Sequence, residues 1–88
     1  MKTKVRNMDT PSGRTAPNQF IIETAGTTYF QSYASVIAKK ENGKVTLDPK
    51  YWDYSVTTLR YLKQFLGTNK KETQSRIDSG EYSLASLN

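Results

Sequence analysis

The sequence predicts an α+β domain in which two antiparallel β-hairpins form a small sheet and two C-terminal helices follow. Three observations carry this. Strand-forming runs lie between residues 19 and 48, and helical periodicity appears only after Pro49. Asn42-Gly43 lies between two alternating segments, a strong hairpin signal because both residues tolerate positive φ. Leu59, Leu62, Phe65 and Leu66 then repeat at spacings of three and four, the stripe of an amphipathic helix. Strands segregated from helices imply α+β rather than a parallel, doubly wound sheet.

Residues 1–17 are polar, contain Pro11, Gly13 and Pro17, and carry Lys2, Lys4, Arg6 and Arg14 against Asp9. They read as a flexible basic arm, with the single small domain spanning 18–88. Gln19–Thr24 and Thr27–Tyr33 flank the turn dipeptide Ala25-Gly26. A two-residue loop there sets Ile22 opposite Tyr29, Ile21 opposite Phe30 and Phe20 opposite Gln31. Both faces then carry apolar groups, so one should be covered fully and the other partly. The second hairpin joins Ser35–Glu41 to Lys44–Asp48 and pairs Lys40 with Val45, Lys39 with Thr46 and Ala38 with Leu47. Alternation assigns Val36, Ala38, Val45 and Leu47 to the core and Lys39, Glu41, Lys44 and Thr46 to solvent.

Asp48-Pro49 ends the sheet. Trp52 is expected to plug the join between sheet and helix, with Tyr51 or Tyr54 more exposed. Ser55 is placed to cap the first helix, and Gly67 suits the left-handed position after its end. Asn69, with Glu72 three residues on, fits a second cap. That helix holds Lys70, Lys71 and Arg76, has Ile77 as its one large apolar residue, and stops at Gly80. Tyr82, Leu84 and Leu87 suggest a short extended segment returning to the core.

Composition narrows the function. The 88 residues make at most one domain. Six Tyr, three Phe and one Trp must supply much of the core. Without Cys there are no disulfides, thiolate metal sites or thiol nucleophiles. Without His the usual acid–base group and the commonest metal ligand are missing. Glu23, Glu41, Asp48 and Asp53 have no ligand spacing. The sequence therefore points to no enzyme, no metal and no cofactor. No apolar run approaches the length of a membrane span, and no apolar stretch follows the basic N-terminus as in a signal peptide. A cytoplasmic protein with no membrane partner is expected. A net charge of +5 at neutral pH makes Lys39, Lys44, Arg60, Lys63, Lys70, Lys71 and Arg76 candidates for a nucleic-acid or partner surface, with Tyr54 as a stacking or anchor residue. A solvated charged face is the competing reading of the same cations.

From Thr58 to Gly80 the order is apolar helix, glycine turn, short basic helix and glycine stop. This resembles the central helices of phage repressor-type helix-turn-helix domains, which implies an element entering the major groove. The segment departs from that pattern at Lys63, where a small residue is usual, and at Thr68 and Thr73, where apolar residues usually pack. The alternative is a plain helical hairpin covering the sheet. The segments NQFIIET, TTYFQSYASVIA and LDPKYWDYSVTTLRYLKQFLG, with the terminal SGEY, are similar to short uncharacterised bacteriophage proteins over residues 18–88. That resemblance implies an accessory protein of a bacterial host cytoplasm. Many small phage proteins of that kind inhibit or redirect host machinery, including anti-CRISPR and other anti-defence inhibitors, so the resemblance implies inhibition or redirection of a host nucleic-acid-handling complex. A DNA-binding transcriptional regulator is the alternative, and the oligomeric state stays open.

Overall fold

The computed structural model describes residues 3–88. Strands β1 (Lys4–Asp9), β2 (Thr15–Thr24), β3 (Thr27–Ser32), β4 (Ser35–Glu41) and β5 (Lys44–Leu47) precede helices α1 (Val56–Leu66) and α2 (Lys70–Asp78). A three-residue strand, β6 (Tyr82–Leu84), closes the order. The strands form one sheet in the order β1-β2-β3-β4-β5-β6. Every neighbouring pair is antiparallel except β5–β6, which is parallel because both helices intervene. The class is α+β as expected, but the sheet is a continuous mixed sheet of six strands rather than two hairpins alone.

The expected registers of both hairpins are present: Ile21 faces Phe30, Ile22 faces Tyr29 and Lys40 faces Val45. Asn42 and Gly43 have φ of 53° and 75°, and Ala25 and Gly26 have 52° and 80°. Both loops thus have the positive-φ pair whose twist matches that of the flanking strands.

Two expectations are corrected. Residues 4–9 are not a flexible arm, since they form β1 and pair with β2 from Lys4↔Glu23 to Asp9↔Thr15. Met8 and Ala16 are buried in the core cluster. Pro11 and Gly13, which had suggested disorder, sit in the β1–β2 loop, where Gly13 N–H donates to Thr10 O and Thr10 N–H to Arg14 O. Residues 1 and 2 lie outside the described residues. The second correction is in β4. Its register against β3 shifts between Phe30 and Gln31, so Ile37 is an extra residue. Such a bulge breaks strict alternation. Ile37 and Ala38 are both buried, while Val36 pairs with Gln31 and is only half-buried.

Both helices lie on one side of the sheet. From α1, Thr58 meets Ser32 and Phe65 stacks tilted on Phe30 at 5.8 Å. Lys40, on the same face as Phe30, sends its Nζ to the Phe65 carbonyl and over the Phe65 ring. Ser55 caps α1 by accepting from Thr58 N–H, and Gly67 ends it at φ 79°. Asn69 caps α2 by accepting from Glu72 N–H. Beneath α2, Thr68 and Thr73 share a buried 2.8 Å hydrogen bond. Their hydroxyls satisfy each other where a repressor-type domain would place apolar side chains. Trp52 is buried in the same core. Asp48 fastens the remaining chain. Its carboxylate accepts from Lys50 N–H, Leu87 N–H and Asn88 Nδ2, and Asn88 also bonds both backbone groups of Val36.

Candidate interaction surfaces

The face of the sheet away from the helices follows directly from register. Val5, Ile22, Tyr29, Lys39 and Thr46 form one cross-strand row, and Asn7, Phe20, Gln31 and Val36 the next. Their neighbours in sequence, Ile21, Phe30 and Ala38, point to the core. Alternation sends this set to the opposite side, where none of the helical contacts described above reaches. Val5 is 62% exposed, and Phe20, Ile22, Tyr29 and Val36 are half-buried. The charges here are Lys39 and Glu41, 3.8 Å apart, with Lys44 at the edge. The result is a nearly neutral, apolar surface with two aromatic rings.

A second feature lies at the end of the sheet where β3 turns into β4. A cleft of about 540 Å³ opens there. Its floor is Ile37, Ser32 and Thr58, and its rim includes Tyr33, Tyr51 and Tyr54. Ser55 Oγ donates to Thr58 Oγ1, which bonds Ser32 Oγ, so the floor hydroxyls satisfy one another. Tyr51 and Tyr54 meet edge to face at 6.1 Å, and Lys50 Nζ stands 5.4 Å from the Tyr51 ring. Tyr54 is 75% exposed and Tyr33 57%. Tyr33 also has φ of 56°, unusual for a bulky side chain. Gln19, opposite Ser32 in the sheet, is 1% exposed, and neither polar atom of its side chain has a partner among the described residues.

The expected site residues do not gather into one stripe. Arg60 and Lys63 are exposed on α1, and Lys70 and Lys71 are exposed at the start of α2. Lys39 and Lys44 belong to the opposite side of the sheet. Arg76 is committed to an ion pair with Glu81 and lies over the Tyr82 ring, 5.7 Å from its centroid. Across α2, Glu72 and Asp78 offset two of the three cations. Of the named residues, Tyr54 joins a cluster, with Tyr51 and with Tyr33, which sequence reasoning passed over as a strand end. The signal was available: Tyr33-Ala34 sits between two strand-forming runs, the position of a turn.

The fold and surfaces define a small two-layer α+β protein, helices on one side and an uncovered apolar sheet face on the other. The chain belongs to a family of unknown function, DUF8033, whose model matches residues 3–81. The match begins within the stretch expected as an arm and includes all of β1. No curated protein and no solved structure matches the chain. Among the described residues, no group of three or more acidic side chains is placed to hold a metal ion, and no helix is long and apolar enough to cross a membrane.

Proposed function

We propose that the protein is a binding module without chemistry of its own, which docks through the open face of its sheet on a protein of the host nucleic-acid-handling machinery. The observation that carries this reading is the uncovered row Val5, Ile22, Tyr29 with Phe20 and Val36 beside it. The molecule is 33 by 32 Å in its two long dimensions, large enough to present the roughly 800 Å² per partner of a standard stable interface. A near-neutral face with an aromatic centre suits a protein partner. A phosphate backbone calls for several unpaired cations, and here Lys39 is held beside Glu41. The resemblance over residues 18–88 to short phage proteins supports a setting in the cytoplasm of an infected bacterium, as an anti-defence inhibitor of the anti-CRISPR kind.

The test is capture from bacterial lysate by the immobilised full chain, with and without nuclease, beside the variant Ile22→Ser, Tyr29→Ser. A defined host protein should remain after nuclease treatment and be lost with the variant. Loss of all partners on nuclease treatment, or equal capture by the variant, would refute the reading.

A further inference from the structure

We propose that the tyrosine-walled cleft is a receptor for a single aromatic side chain of a partner polypeptide. Ser32 pairs with Ser35, so Tyr33-Ala34 is a two-residue hairpin loop, and Tyr33 occupies its first central position at φ 56°. Glycine is the usual residue there. A tyrosine works against the fold, and its side chain, 57% exposed, is not part of the core cluster. What the placement does achieve is a third ring lining the cleft, with Tyr51 and Tyr54. Backbone strain of this kind concentrates at ligand sites.

The chemistry of the cleft selects the occupant. Its volume, about 540 Å³, lies within the range of sites that enclose a small ligand or one anchoring side chain. None of the residues lining it is charged. The Ser32, Ser55 and Thr58 hydroxyls are engaged with one another. Ring edges and faces remain, and these favour another aromatic ring in offset or edge-to-face contact over an aliphatic group of similar size. A nucleobase has the same ring chemistry but arrives with phosphates. Among the described residues, the one cation found over these rings is Lys50, and it is already over Tyr51. Charge therefore favours a polypeptide. None of the open-face residues lines the cleft, so binding there is independent of Ile22 and Tyr29.

The experiment is an NMR titration of the isotopically labelled full chain. The probes are a blocked Gly-Ser-Trp-Ser-Gly peptide, its leucine analogue, and a short oligothymidylate. The tryptophan peptide should give saturable shifts of Tyr33, Tyr51, Tyr54 and the Ser55–Thr58 amides, and the leucine peptide should bind about fivefold more weakly or worse. Tyr33→Gly and Tyr54→Ala should each lose about fivefold or more in affinity. Tyr33→Gly should melt no lower than the wild type, so its loss cannot be assigned to unfolding. The proposal is overturned if no saturable shift appears at the cleft by about 10 mM peptide, or if leucine binds as well as tryptophan. It is overturned equally if Tyr33→Gly binds like the wild type. An oligothymidylate that saturates the same signals more tightly than the peptide would give the cleft to nucleic acid instead.

Discussion

Replacing Asp48 should cost several times what a typical surface polar substitution does. The side chain is 2% exposed, and its carboxylate accepts three hydrogen bonds, from Lys50 N–H at 2.9 Å, Leu87 N–H at 2.9 Å and Asn88 Nδ2 at 3.0 Å. Burial alone would raise its pKa. The hydrogen bonds from Leu87, Asn88 and Lys50, with a smaller contribution from the nearby Tyr51 N–H, outweigh burial and hold the carboxyl below the ordinary carboxylate range. A hydrogen bond to a charged group contributes about 1.5–3 kcal/mol, and neighbouring bonds are not additive. Asp48→Ala should therefore lose about 3 kcal/mol, which for a domain of this size lowers Tm by roughly 15 °C. Asp48→Asn keeps one acceptor but turns an amide N–H₂ toward existing donors, so about 2 kcal/mol should go. The pH dependence has a definite sign. A group whose folded pKa is depressed contributes fully above its unfolded pKa, about 3.9, and loses that contribution as pH falls through the folded value. The wild-type advantage over Asp48→Asn should thus be flat above about pH 5 and shrink below pH 4. Thermal melts of both proteins from pH 2.5 to 7 check this. A Tm for Asp48→Ala within about 3 °C of wild type at pH 7, or an unchanged gap at pH 3, would refute the reasoning.

Three further outcomes follow from the fold. Asn42→Ala with Gly43→Ala should lose more than about 1 kcal/mol in chemical denaturation, because both positions have positive φ, whereas Ala25→Asn should gain about 0.5 kcal/mol by relieving the same strain in the first turn. Met8→Ala should lose roughly 2–5 kcal/mol and deletion of residues 1–17 considerably more, since β1 carries a buried core residue; a truncated chain that melts like the whole would restore the flexible arm. Lys70→Ala with Lys71→Ala should leave Tm nearly unchanged and lower the salt slope of any duplex-DNA binding by about 0.9 per lost contact. Wild-type binding should itself be weak and salt-labile, and tight duplex binding that persists at about 200 mM salt would favour the regulator reading instead.

Local chemistry made the turns, caps and registers legible in the sequence. Asn42-Gly43 and Ala25-Gly26 each announce a two-residue loop, and a loop of known length fixes every cross-strand pair behind it. Ser55, Gly67 and Asn69 mark helix ends through side-chain or backbone preferences that act within three residues. What stayed illegible was non-local. β1 has one buried residue in six, Met8, because it is an edge strand over which the helices scarcely extend. Such a strand is polar in composition and looks like a tail. The bulge at Ile37 depends on how β3 and β4 accommodate each other, so alternation along β4 alone assigned Val36 to the core in its place.

The surfaces were harder still, because a surface is a juxtaposition of residues distant in sequence. Charge pointed to the helices, yet the cations there are spread out, and Arg76 is engaged by Glu81. The more informative signals are places where a residue works against its own local structure. Among the described residues, four non-glycine positions have positive φ: Asn18, Ala25, Tyr33 and Asn42. The two asparagines are well suited to that conformation. Ala25 is a small residue in an exposed turn and costs little. Tyr33 alone is large, β-favouring and placed where glycine would serve the fold better. Natural sequences agree with their structures at most levels, and departures without structural compensation mark functional positions. By that criterion the cleft bounded by Tyr33, Tyr51 and Tyr54 is the stronger pointer to a bound partner than the net charge of +5, which is distributed over both sides of the sheet and both helices.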